Sequence, residues 1–159
     1  MPAREPTPQP PGGRFDGPVH WFPVRVYFED TDLSGVVYHA NYLRWFERAR
    51  SDMLRALGIR QRDAHDAGEG AYAVSELSIR YAAPARLDDA VLIRSTTTEV
   101  RGASCRLAQS AWRDGQLLAE ANLRIAFVSP QGRPRRQPAA WLAAIATIHQ
   151  ETPGKPIAP

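Results

Sequence analysis

The sequence has little cysteine, almost no lysine and no long apolar run. A single cysteine, Cys105, excludes an intramolecular disulfide framework and any zinc site built on several thiolates, and it points to the reducing cytoplasm. Lysine occurs once, at Lys155, against 19 arginines. The formal charge of +3, scattered among 17 acids, is too weak for clustered phosphate contacts along a duplex, so nucleic acid is excluded as a partner. Arginine forks do suit a small polyanion, because they grip phosphate oxygens two at a time. The longest apolar stretch, Ala139 to Ile148, falls short of the roughly 18 residues of a membrane span. Arg4 has no apolar stretch behind it, so neither a transmembrane segment nor a signal peptide is expected.

Proline is abundant but unevenly placed. Six of the fourteen fall in the first 18 residues and three in the last seven, and neither end has an apolar period. The expected organisation is a flexible tail over 1–18, one domain over 19–150 and a second flexible tail over 151–159. A domain of that length buries about two-thirds of its unfolded surface.

Periodicity then sets the elements. Val24, Val26 and Phe28 alternate with polar neighbours as a first strand. Glu29 to Asn41 is a connection rich in acids and turn formers. From Ala40 to Leu57, residues Tyr42, Leu43, Trp45, Phe46, Ala49, Met53, Leu54, Ala56 and Leu57 fill one arc about 180° wide on a helix. Only Arg50 interrupts the arc, and Gly58 ends the helix. So wide an apolar face belongs to a helix wrapped by something. Residues 60–70 read as a polar loop. The strand period returns with Ala73, Ser75, Leu77, Ile79 and Tyr81 on one face, then 91–100, 104–112 and 117–127. Asp114-Gly115 is a strong hairpin signal, and 139–149 reads as a short final helix. The class is α+β, an antiparallel sheet of about five strands with one long helix against it.

Chemistry concentrates just ahead of that helix, at Asp30, Asp32, Gly35 and His39. A carboxylate here precedes backbone N–H groups that lack intrahelical partners, and the helix dipole favours a developing oxyanion. Such a group suits attack on a carbonyl, with Asp32 as base or nucleophile and the amide near His39 polarising the oxygen. Read on spacing alone, acids before a helix are more often caps and dipole partners. Repulsion from Glu29 and Asp30 is expected to raise the carboxylate's pKa. Ser34 with Asp32 and His39 has the composition of a serine triad but lacks a G-x-S-x-G elbow. No histidine spacing supports a metal, and no cofactor is expected.

The element D-x-x-G-V-V-Y-H-A-N-Y, Asp32 to Tyr42, together with Leu77 to Asp89, resembles the hotdog-fold acyl-CoA thioesterases of the 4-hydroxybenzoyl-CoA type, closest to their Tol-Pal-associated branch. The resemblance spans roughly residues 20–145. It implies a sheet wrapped round a central helix and hydrolysis of an acyl-CoA, with acyl carrier protein as another possible thioester donor. Asp32 then takes the role of catalytic carboxylate, and His39 supplies the oxyanion amide and a contributing side chain. Gly35, Tyr38 and Asn41 line the substrate. Arg101, Arg133, Arg135 and Arg136 lie where phosphate contacts are expected, although Gly102-Ala103 stands where some members carry further basic residues. The resemblance also implies a homodimer or homotetramer with the site between subunits. Glu47 occupies the helix that carries the acid in other hotdog thioesterases, but its spacing favours an ion pair with Arg50. A hotdog dehydratase and a non-catalytic acyl-thioester binder stay open as alternatives. Trp141, Leu142, Ile145 and Ile148 could touch lipid, or pack on the sheet.

Overall fold

The computed structural model describes residues 7–150. The expected tail over 151–159 and the first six residues of the other lie outside the described residues. In chain order the elements are β1 (Arg14–Asp16), β2 (Val19–Arg25), a 3-10 turn (Phe28–Asp30), α1 (Asn41–Ala56), α2 (Gln61–Asp66), β3 (Ala71–Tyr81), β4 (Ala90–Val100), β5 (Ser104–Arg113), β6 (Gln116–Val128) and α3 (Ala139–Ala146). The strands form one antiparallel sheet in the order β1-β2-β4-β5-β6-β3. Its concave face covers α1, as the apolar arc requires. The β5–β6 hairpin turns through Asp114 (φ +48°) and Gly115 (φ +76°), both left-handed, as a type I′ turn does.

Four local expectations are corrected. The sheet has six described strands, because β1 lies inside the stretch read as a tail. Residues 12–17 contain no proline, so their N–H groups can join a ladder, and Arg14 to Asp16 pair with Trp21 to Val19. The first strand ends at Arg25, before Phe28. Asp30 accepts the Tyr27 N–H at 2.8 Å and folds the chain into the 3-10 turn, leaving Phe28 82% exposed. The polar loop after α1 contains the short helix α2, which is anchored by buried Ala64. Finally, a bulge between Val74 and Glu76 shifts the β3 register. Tyr72 and Val74, opposite inward-facing Phe127 and Ile125, therefore share the face of Leu77, Ile79 and Tyr81. Ala73 and Ser75 point the other way.

Along α1, Tyr42, Trp45, Phe46, Ala49, Met53 and Leu54 are buried. The core beneath it is divided in two. One cluster centres on Phe46 with Phe22, Val91, Ile93 and Leu118; the other centres on Leu107, Leu123, Met53 and Ile145. Trp141 and Ile145 pack α3 onto the second cluster, so the packing role suggested for that helix holds. A polar belt runs between the clusters. Arg50, buried in the middle of α1, donates from Nη1 to Gln109 Oε1 at 2.8 Å. Gln109 is itself buried on β5, and its Nε2 donates to the Phe46 carbonyl (3.1 Å) and to Ser95 Oγ (2.8 Å) on β4. Arg50 Nη2 reaches out to Glu47, which is largely exposed.

Deleting the guanidinium leaves Gln109 Oε1 buried without a donor. Arg50→Ala is expected to lower stability in urea unfolding by about 1–3 kcal/mol. Glu47→Gln, at the solvated end of the same chain of contacts, should cost less than about 1 kcal/mol.

Candidate active site

The connection from the 3-10 turn to α1 is held by backbone bonds before any side chain acts. The Tyr38 N–H donates to the Asp30 carbonyl at 2.9 Å, the Asp32 N–H to the Val36 carbonyl at 3.0 Å, and the Val37 N–H to the Ala85 carbonyl at 2.8 Å. Gly35 closes the turn at φ +80°, a conformation that a Cβ would strain, and its N–H returns to the Asp32 carbonyl at 3.0 Å. Asn41 is buried, and its Nδ2 donates to the Asp30 carbonyl at 2.7 Å. Its amide therefore shapes the loop rather than projecting into solvent.

On this frame Asp32 is exposed. One carboxylate oxygen, Oδ1, accepts from both the Ser34 hydroxyl and the Ser34 N–H, the latter at 2.8 Å. These two bonds stabilise the anion and hold the carboxyl below its ordinary value, with help from nearby His39. The upward push expected from Glu29 and Asp30 is thus corrected: the Ser34 hydrogen bonds set the direction, and neither acid contributes to it. Ser34 Oγ is engaged with Asp32 and makes no bond to His39, so the triad composition has no triad geometry behind it.

His39 stands at the other side of the loop. Its ring packs against Tyr38 (centroids 4.5 Å apart) and edge-on to Tyr81 (6.2 Å). Its carbonyl accepts the Tyr81 hydroxyl at 2.8 Å. Among the described residues its N–H has no acceptor, although the next turn is already forming, with the Asn41 N–H on the Tyr38 carbonyl at 2.9 Å. An ionised carboxylate and a free amide at a helix start thus share one short loop. Tyr81 was not singled out by sequence; the only available signal was an aromatic residue ending a strand just before Ala-Ala-Pro.

The four arginines separate into different roles. Arg135 Nη1 donates to the Gly68 and Glu69 carbonyls at 2.9 and 2.8 Å, clamping its loop to the end of α2. Arg101 pairs with Glu99 at 2.9 Å but stays well exposed. A Cβ at Gly102 would lie 2.9 Å from Arg136 Nη1, so the glycine leaves room for that guanidinium over the β4–β5 turn beside Arg101. Arg133 is exposed. Buried Gln137 fastens this loop to the turn through its N–H on the Gly102 carbonyl (2.8 Å) and its Nε2 on the Arg101 carbonyl (2.7 Å). Cys105 donates weakly to the same glutamine, and burial pushes its thiol up to about 11, as suits an inert core residue.

Comparison with known proteins agrees with the geometry. Residues 34–120 match the thioesterase superfamily model. The acyl-CoA thioesterase YbgC of Haemophilus influenzae is 43% identical over 107 residues, which cover 67% of this chain and 79% of that protein. The acyl-CoA thioester hydrolase YbgC of Escherichia coli is 42% identical over 124 residues, covering 77% and 92% respectively. The crystal structure of a probable thioesterase from Bartonella henselae superposes with a TM-score of 0.72 at 36% identity, covering 76% of this chain and 99% of that one.

Removing the Ser34 hydroxyl takes away the largest stabiliser of the Asp32 anion. In Ser34→Ala the Asp32 carboxyl, followed by NMR titration, should release its proton at higher pH than in the parent. An unchanged midpoint would mean that the hydroxyl does not hold it.

Proposed function

The chain belongs to the thioesterase superfamily, and from that premise we propose how it hydrolyses an acyl-CoA thioester to a free acid and coenzyme A. The fold is the hotdog fold of that superfamily. The observation that carries the mechanism is the pairing of ionised Asp32 with the free His39 N–H on one loop. The thioester carbonyl oxygen takes the His39 N–H, where the positive end of α1 favours the charge that builds there. Asp32 Oδ2, the oxygen not held by Ser34, faces the reacting carbon. Attack by that oxygen breaks the C–S bond, releases the coenzyme A thiolate and leaves a mixed anhydride. Water then cleaves the anhydride to the acid and restores the carboxylate. Acting instead as a base, Asp32 would take a proton from the attacking water. Its depressed pKa keeps the anion available for either route. A contributing side-chain role falls to the His39 imidazole, which packs against Tyr38 on the same loop.

The binding assignments follow from the same geometry. Tyr38 and Gly35 border the acyl end, and Asn41 supports it by holding the loop. Arg101, Arg133 and Arg136 take the phosphates of the nucleotide end, while Arg135 fixes the loop that presents them. A second copy completes the site. Leu33 beside Asp32 is fully exposed, and β3 leaves an eleven-residue edge free with Val74, Leu77 and Tyr81 each roughly 40% exposed. Pairing of that edge with a second β3 would continue the sheet and cover the apolar surface. A homodimer, or a pair of dimers, working in the cytoplasm is the assembly this supports, within the Tol-Pal-associated branch suggested by the Asp32–Tyr42 element. No described helix is long and apolar enough to cross a membrane.

Thiol release from short, long and aromatic acyl-CoAs tests the reaction. Asp32→Asn should lose about 100-fold or more in kcat while remaining folded; equal activity would discard Asp32 as the acting group. Water loss from a 3-hydroxyacyl-CoA without thiol release would instead identify a dehydratase. Arg136→Ala should raise KM by about tenfold with little change in kcat, because a phosphate contact is made equally in ground and transition states.

A further inference from the structure

The segment ahead of β1 has no part in the reaction above, yet it is seated on α1. The Gly13 N–H donates to Asp52 Oδ2 at 2.9 Å, and the same oxygen meets His20 Nε2 at 2.8 Å. A Cβ at Gly13 would lie 2.2 Å from the Trp21 carbonyl oxygen and 2.9 Å from both Asp52 Oδ2 and His20 Cε1, so only glycine allows this approach. His20 is fully buried on β2, with Phe15 edge-on at 5.1 Å. Asp52 Oδ2 is thus engaged by the strap and by β2, and among the described residues no arginine lies within salt-bridge distance of it.

Between Pro10–Pro11 and the α1–α2 connection lies an open cavity of about 860 Å³, within the range of small-ligand sites. Arg48, Arg55, Arg60 and Arg62 line it, against two acids, Asp52 and Asp63, so its charge is positive on balance. Arg48 and Arg55 are seven residues apart, two turns along one side of α1. Arg60 is paired with Asp63 at 2.8 Å, but among the described residues no carboxylate lies within salt-bridge distance of Arg48, Arg55 or Arg62. Three guanidinium groups facing one cavity repel each other until an anion joins them. A diphosphate or triphosphate carries more charge and more acceptor oxygens than a single phosphate, and so meets more of them at once.

We propose that this cavity binds a small ligand carrying a diphosphate or triphosphate, at a site separate from the acyl-thioester site, and that the Pro10–Gly13 strap supplies one wall of it. The strap gives the proline-rich extension a purpose that the hydrolytic reaction does not. Coenzyme A also contains a diphosphate and is therefore the competitor against which this cavity is tested.

The test is calorimetric titration of the whole chain with inorganic pyrophosphate, with inorganic phosphate as the comparator. Pyrophosphate should bind more tightly than phosphate. Arg55→Ala/Arg62→Ala should weaken it by about tenfold or more. Removal of residues 1–11, which keeps Gly12 and Gly13, should weaken it as well. Thiol release should stay at the parental rate in both variants, so failure of this site is distinguishable from failure of the hydrolytic reading. Displacement of pyrophosphate by coenzyme A near the substrate's KM would overturn the separate site and assign the cavity to the substrate. Equal affinity for phosphate and pyrophosphate, or unchanged affinity in the double variant, would overturn the proposal outright. So would a change in sedimentation of the arginine variant without a change in affinity, since the face would then be a contact between copies.

Discussion

A buried guanidinium beneath the central helix organises this fold. Arg50 interrupts an otherwise apolar helix face, and its hydrogen bond to Gln109 reaches across to the sheet. Gln109 then binds the helix again at the Phe46 carbonyl and the next strand at Ser95. Apolar packing alone would leave α1 free to slide or rotate by small amounts over the sheet. Hydrogen bonds of fixed direction do not, and an unpaired charge in that position would be strongly unfavourable. The two apolar clusters on either side supply the bulk of the burial, while the belt between them sets where along the strands the helix sits.

That position decides the geometry of the site. The first turn of α1 must emerge where the loop carrying Asp32 can close back on Asp30 and Ala85. Tyr81 on the edge strand and Asn41 at the helix start hold the two ends of this loop. The result is a hydrogen-bonded segment that exposes the Asp32 carboxylate and the His39 amide, the two groups on which the proposed acyl transfer relies. Ser34 prepares the carboxylate electronically by donating two hydrogen bonds to one oxygen and leaving the other free. The chemistry therefore rests on short-range turns whose placement rests on the core.

The arginines follow the same division between frame and function. In a chain with one lysine, nearly all positive charge is carried by a group able to bind two acceptors at once. Some guanidinium groups hold backbone carbonyls or buried amides, as Arg135 and Arg50 do. Others remain at the surface around openings, near Gly102 and beneath the proline strap. Composition alone gives no means of separating the two populations, because the same side chain serves both.

Much was legible in the sequence because it is encoded locally. The helix 41–56 follows from a 3.6-residue period, the Asp114-Gly115 hairpin from two residues that tolerate left-handed backbone, and Asp32 and His39 from a contiguous motif. What escaped it depends on partners distant in the chain. The bulge that turns Tyr72 and Val74 inward is a matter of register with β6. The burial of Arg50 depends on Gln109, 59 residues away, and the release of space for Arg136 depends on Gly102. The first strand was hidden because prolines flank it, although the residues that pair have free N–H groups. By itself the sequence determined the periods, the turns and the candidate loop, because those are set by neighbouring residues. Tertiary structure alone decided which charges are buried, which arginines are free and where the helix meets the sheet, because those depend on contacts that exist only after the chain has folded.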